Sequence, residues 1–328
     1  MKQIYLVLLL AFVSSTCLAD QRTKFYDLSK VSHKKPKSNI IQFYSSIDNI
    51  GNFLPVLGIQ QMLGEKPDTW CAKGTVDWDF VNKQYKCGII GGAGFFHKSF
   101  EPFWKSLRDH CKIPLIIWGV GICLPDKDPV AVDKEIVKQA SLKCDLINVR
   151  DNFTAEYYNF ENASITACPC IVYLQNIKNP ESEKEHILYS HHDELISTYG
   201  QQKIAEIIKK TGFNYKTTSN YQTPSLGLEQ ILSNHYLKSN VIVTSRLHGA
   251  IIAYALGIPY IMIARDKKLN EFHTTYGNGI CINTIEELTP ILKNKTYESL
   301  ELHPIALQPV LAFGEHAKAW VNFHCDGE

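Results

Sequence analysis

The segment Val241 to Ala264 reads VIVTSRLHGAIIAYALGIPYIMIA, and only Arg246 and His248 in it can carry charge near neutral pH. Its opening Val241-Ile242-Val243-Thr244 has the composition of a strand buried on both faces. A helix from about Leu247 to Leu256 follows and stops at Gly257, with Pro259 just beyond, the usual chemistry of a helix end. Tyr260 to Ile263 is the next strand. A strand–helix–strand unit this apolar must lie inside a layered α/β domain. Arg246 and His248 then sit where a buried strand ends and a helix begins. A guanidinium buried there without a partner costs several kcal/mol, so Arg246 requires a carboxylate of the protein or the anion of a ligand. The helix N-terminus adds free N–H groups and partial positive charge. Two readings stand: an internal salt bridge with a singly bonded core histidine, or a site for phosphate or carboxylate.

The same alternation runs through the chain. Strands are expected at 39–44, 87–90, 114–118 and 146–149, with helices at 53–63, 99–110 and 129–142 between them. In the second half, strands are expected at 186–189, 241–244 and 260–263, helices at 201–210 and 225–237, and a terminal helix over 305–323. The first-half strands end in small or polar residues, such as Gly91-Gly92-Ala93-Gly94 and Gly119-Val120-Gly121. Open parallel sheets hold ligands at such strand ends. The expected class is α/β, with two Rossmann-like domains facing a cleft: residues 39–175, and residues 176–328 including the terminal helix. A length of 328 residues suits two domains. Residues 20–38, with the basic run His33-Lys34-Lys35-Pro36-Lys37, read as a solvated linker. Lys+Arg is 34 against Asp+Glu 33, which gives no basic excess for nucleic acid.

Lys2 followed by the apolar run Ile4–Val13 and by Cys17-Leu18-Ala19 reads as a signal peptide over residues 1–19, cleaved after Ala19. Export through the secretory pathway follows, and an uncleaved leader would be the only membrane contact. Nine cysteines remain after cleavage, an odd number with no regular spacing. Cys168-Pro169-Cys170 is tighter than the usual zinc-ligand spacing, so neither a metal nor a cofactor is expected.

The stretch Thr244-Ser245-Arg246-Leu247-His248-Gly249-Ala250 through Leu256-Gly257-Ile258-Pro259, then Asp266-Lys267-Lys268, resembles the signature of the polysaccharide pyruvyl transferase family. Gly51, Gly91-Gly92-Ala93-Gly94, Trp118-Gly119-Val120-Gly121 and Val149-Arg150-Asp151 resemble earlier family blocks in the same order. The resemblance covers about residues 40–280. It implies a fold like that of GT-B glycosyltransferases and transfer of a pyruvyl group from phosphoenolpyruvate to two sugar hydroxyls of a glycan, forming a cyclic ketal. Arg150 and Arg246 match positions that would orient the anionic donor, and His248 would act as general acid or base. Ser245, Gly249, Lys267 and Lys268 would lie on the donor side. Asp48, Asn52, Gly91, Gly92 and Gly94 would lie on the acceptor side. Asp151 reads as a helix cap. Where the family commonly has Gly-Asp this chain has Gly51-Asn52, and an amide cannot act as a base, so that role is lost or moves to Asp48. Two further readings stay open: a glycosyltransferase using a nucleotide sugar, and a secreted glycan-binding member without activity.

Overall fold

The computed structural model describes residues 20–122, 130–177, 184–277, 279–301 and 305–326. The expected leader, residues 1–19, lies outside them. Among the described residues no helix is long and apolar enough to cross a membrane.

Two parallel sheets carry the chain, as the α/β expectation requires. The first contains β1 (Ile40–Tyr44), β2 (Asp68–Cys71), β3 (Cys87–Gly91), β4 (Leu115–Val120), β5 (Cys144–Val149) and β6 (Ser164–Ile165), in the order β2-β1-β3-β4-β5-β6. The second contains β7 (His186–Ser190), β8 (Asn214–Thr218), β9 (Ser239–Thr244), β10 (Tyr260–Ile263) and β11 (Ile280–Ile282), in the order β11-β10-β9-β7-β8. In each sheet the first strand pairs on one side with its successor and on the other with the strand after that. This reversal leaves a crevice beyond the carboxyl ends of β1 and β3, and another beyond β7 and β9. β10 is buried along its whole length and β9 at every position but Asn240, as their apolar runs demand.

Several elements depart from the sequence-based expectation. The first long helix starts at Ile50 rather than 53, because the Asn49 side chain caps it by accepting from the Gly51 N–H at 2.9 Å. The helix expected over 129–142 spans Lys134–Ser141, capped by Asp133, and Pro129 falls outside the described residues. The helix expected over 225–237 is a short helical start, Leu228–Gln230, continued by a π-helical stretch, Ile231–Tyr236. β2 and the edge strand β8 carry no apolar run and are visible only in the structure.

The segment 20–38 is no solvated linker. Leu28 is fully buried, and Asp27, 4% exposed, accepts from the Tyr44 hydroxyl at 2.7 Å. Phe25 meets the rings of Tyr44 and Phe53 edge-on at 5.5 and 4.8 Å. Within the basic run, Lys34 pairs with Asp77 at 3.0 Å. The terminal helix, Leu307–Asp326, was expected with the second half but packs on the first sheet. There Phe313, Ala317 and Val321 share a core with Ile40, Ile59, Ile116 and Trp118. A separate apolar cluster joins the two halves, with Phe53, Leu54 and Ile171 from one packed against Leu188, Ile251 and Tyr254 from the other.

Candidate active site

A cavity of about 430 Å³ opens where the carboxyl ends of the two sheets meet. Ser45 follows β1, Gly94 follows β3 and Arg150 follows β5; His192, Asn220, Arg246 and Lys268 follow β7, β8, β9 and β10. Both chain-reversal crevices therefore face one space. Four of its lining residues are cations, Lys73, Arg150, Arg246 and Lys268, against the two acids Asp193 and Glu194.

Arg246 is the N-cap residue of the Leu247–Ala255 helix. The Thr244 hydroxyl fixes the turn, accepting from the Arg246 N–H at 2.9 Å and donating to the Ser190 carbonyl at 3.1 Å. The Arg246 Nε donates to the His191 carbonyl, and the guanidinium lies over the Tyr221 ring at 5.5 Å. Among the described residues no carboxylate forms an ion pair with it within 4.0 Å. Of the two readings of this arginine, the internal salt bridge is thus not what the structure shows: the side chain lines the cavity without one. Burial holds the Arg246 pKa below its ordinary value, the mark of a cation with too few anions around it.

His248, the second residue of the same helix, faces both the cavity and the first half of the chain. It fits only because residue 51 has no side chain: a Cβ placed on Gly51 would lie 2.6 Å from the Cβ and Cγ of His248. Its Nε2 lies 3.8 Å from the Cys168 Sγ. Burial, and the nearby charges of Arg150 and Lys268, hold the His248 pKa below the usual imidazole value. Burial alone would push the Cys168 thiol up, but hydrogen bonds with Cys170 and His248 outweigh it and hold the thiol well below its ordinary value.

Arg150 reaches the cavity through space left by another glycine, since a Cβ on Gly121 would lie 2.1 Å from its Nε. It is 5% exposed, donates from Nη2 to the Ile122 carbonyl at 3.3 Å and lies 3.5 Å from Asp151. Asp151 caps the helix Asn152–Tyr158 through the Thr154 N–H at 2.7 Å. Lys268 lines the cavity and pairs with the buried Asp266 at 2.9 Å.

Other expected site residues fall elsewhere. Lys267 is exposed and stacks over Phe153 at 5.4 Å, away from the cavity lining. Ser245 is fully buried, and its hydroxyl accepts from the His192 N–H at 2.9 Å, so it positions the His192 loop. Gly249 is needed for packing, because a Cβ there would lie 2.1 Å from the Thr244 Oγ1. Gly91 and Gly92 let the Ile50–Leu63 helix approach the sheet: Cβ atoms there would meet Ile59 at 2.7 Å and Pro55 at 2.2 Å. Neither lines the cavity, whereas Gly94 and Asn52 do. Asp48 is exposed, bonds to Ser46 within its own turn and is not a lining residue, so it does not take over an acidic role there.

Acidic groups enter instead from the second half, as Asp193 and Glu194. His192 and Asp193, just after β7, both line the cavity. Burial and the charge of Arg246 pull His192 down to about 4. Lys73, His97, Asn220 and Tyr221 were not anticipated. Asn220 is fully buried at φ +60°, and its Nδ2 has no hydrogen-bond partner among the described residues. The polar strand that leads to it offered no apolar pattern to mark the site.

No curated protein matches the chain in sequence. In structure it is similar to S. aureus MnaA solved with UDP, at 12% identity, a TM-score of 0.54, and coverage of 86% of this chain and 96% of that one. It is also similar to the UDP-GlcNAc 2-epimerase of Methanocaldococcus jannaschii in complex with UDP-GlcNAc and UDP, at 11% identity and a TM-score of 0.53, covering 85% of this chain and 99% of that one. At such identities the likeness concerns the fold, which is GT-B-like. The family model for polysaccharide pyruvyl transferase matches residues 21–267, a span that holds both sheets' cavity-facing strand ends together with Arg150, Arg246 and His248. The chain therefore belongs to the polysaccharide pyruvyl transferase family, a family of transferases.

Proposed function

We propose that the cavity binds phosphoenolpyruvate and transfers its pyruvyl group to two hydroxyls of a glycan, giving a cyclic ketal and inorganic phosphate. The observation that carries this reading is Arg246, a cleft-facing guanidinium without a carboxylate partner among the described residues, at a helix N-terminus. A ligand carrying both a phosphate and a carboxylate supplies the missing anions. Charge-assisted hydrogen bonds to such groups contribute roughly 1.5–3 kcal/mol each. Arg246 and Arg150 hold the donor from opposite sheets, Lys268 adds charge, and the Asn220 amide offers one more donor.

In the reaction, two bonds form between sugar oxygens and C2 of the donor, and the bond from C2 to the phosphate oxygen breaks. One hydroxyl proton ends on the methylene carbon, which becomes a methyl group, and the other leaves with phosphate. His248 carries the proton, because its ring faces the cavity and can accept from one side of the reaction and donate to the other. Asp193 and Glu194 line the same cavity and are the acids available there to receive an acceptor hydroxyl proton, in place of Asn52.

The test is phosphate release from phosphoenolpyruvate by the purified protein, with and without glycosides that offer adjacent or 4,6-placed hydroxyls. Glycoside-dependent release, abolished in Arg246→Ala and His248→Ala, supports the reading. Turnover of nucleotide sugars alone, or near wild-type rates in either folded variant, refutes it.

A further inference from the structure

Behind His248 the cavity wall carries a second kind of chemistry. The His248 ring nitrogen and the thiols of Cys168 and Cys170 lie within 4.8 Å of one another, although residues 168 and 248 are far apart in sequence. Both cysteines are free, at 3% and 0% exposure, while His248 opens to the cavity. Tetrahedral zinc, with bonds of about 2.3 Å to sulfur and about 2.0 Å to nitrogen, sets its ligand atoms roughly 3.5–3.8 Å apart. The Cys168 Sγ to His248 Nε2 distance of 3.8 Å already meets that requirement.

The three groups are also held in place. A Cβ on Gly58 would lie 2.1 Å from the Pro169 carbonyl oxygen, and one on Gly119 would lie 2.3 Å from the Pro169 ring. Pro169 is therefore clamped between the Ile50–Leu63 helix and β4, which fixes the cysteines on either side of it. Gly51 clasps His248 in the same way. The CxC spacing looked too tight for a metal only because a third ligand had to come from the other sheet. Two thiolates would balance a dication, leaving the site neutral beside Arg150 and Lys268. Soft thiolates select zinc over magnesium or calcium. Three protein ligands leave the fourth position of the ion to water or to a group entering from the cavity.

We propose that Cys168, Cys170 and His248 bind zinc, and that the bound ion takes the His248 nitrogen needed for proton transfer, so that zinc reversibly inhibits the enzyme. Binding releases whatever protons the two thiols still carry to solvent and involves no redox change. The inhibitory half rests on the pyruvyl-transfer reading; the metal site stands without it.

The experiment titrates cobalt(II) into the reduced full-length protein. One equivalent is expected to produce thiolate-to-cobalt charge-transfer absorption and the intense visible bands of a tetrahedral site, both erased by zinc. Cys170→Ser and Cys170→Ala, each checked for an unchanged thermal midpoint, are expected to weaken cobalt binding by about 100-fold or more. In the phosphate-release assay, zinc inhibits the wild type, a chelator restores it, and the Cys170 variants keep their activity and lose zinc sensitivity. Absence of the bands in the wild type, or their survival in both Cys170 variants, overturns the site. Bands without inhibition overturn the regulatory half. Bands in a protein that never turns over phosphoenolpyruvate leave the metal site standing and remove the transferase reading.

Discussion

Gly51→Ala isolates the placement of His248 from its chemistry. The added Cβ would lie 2.6 Å from two carbons of His248 and 2.8 Å from its Nδ1. Ordinary contact between carbons is about 3.5–4.0 Å, so the two must separate by about 1 Å. Both belong to helices, Ile50–Leu63 and Leu247–Ala255, packed through the apolar cluster between the halves; because one of the carbons met is the His248 Cβ, the start of the Leu247–Ala255 helix must shift and carry the imidazole with it. Overpacking of this kind costs about 1–3 kcal/mol, offset by roughly 0.4–1 kcal/mol because alanine stiffens the unfolded chain. The variant therefore folds, with its thermal midpoint lowered by a few degrees. A misplacement of about 1 Å at a catalytic group costs on the order of 100-fold in turnover. The phosphate-release assay should accordingly show kcat reduced about 100-fold, with KM for phosphoenolpyruvate changed less, because the added Cβ meets neither Arg150 nor Arg246 directly. A folded variant with wild-type kcat, or one with KM raised and kcat intact, would show that the contact between Gly51 and His248 does not position the reacting group.

Arg246→Ala should weaken donor binding about 10- to 100-fold by calorimetry, and Arg246→Lys should recover only part, since lysine cannot match the Nε bond to the His191 carbonyl. His192 gives a pH signature. Its folded value of about 4, set by burial and by Arg246 and Lys268 against Asp193, lies below the ordinary imidazole value of 6.5. The unfolded chain therefore takes up a proton that the folded chain refuses, so this contribution to stability is intact above pH 6.5 and falls by up to about 3 kcal/mol as pH drops toward 4. Denaturant titrations of His192→Gln should show a flatter acid limb than the wild type, and parallel limbs would contradict the assignment. Gly121→Ala should displace Arg150 and raise KM for phosphoenolpyruvate more than it lowers kcat, the reverse of Gly51→Ala, as steady-state kinetics will show. If residues 1–19 are a cleaved leader, N-terminal sequencing of the protein recovered from its native cell should begin at Asp20; a first residue of Met1 would refute cleavage.

The strongest sequence signals were those of burial. The apolar runs of β9 and β10 and the Gly257–Pro259 stop specified their unit closely, because a segment apolar on every side has few places to lie. Arg246 and His248 stood out there as charges in the wrong solvent, and the structure places both on the cavity. What stayed hidden depended on polar or distant partners. β8 has no apolar periodicity, so Asn220 and Tyr221 at its end gave no warning. Ser245 and Gly249 share a motif with Arg246 yet serve the turn and its packing, which no spacing rule separates from ligand contact. Glycines 51 and 121 looked like ordinary turn residues; their role is defined by side chains 197 and 29 positions away. The linker reading of 20–38 failed because its charges drew attention from Phe25 and Leu28, which carry the packing.

The helix Leu307–Asp326 ties the end of the chain to a sheet built from residues 40–165. Phe313, Ala317 and Val321 cover Ile40, Ile59, Ile116 and Trp118, so a chain cut before Leu307 would bare an apolar face of the first sheet and invite association through it.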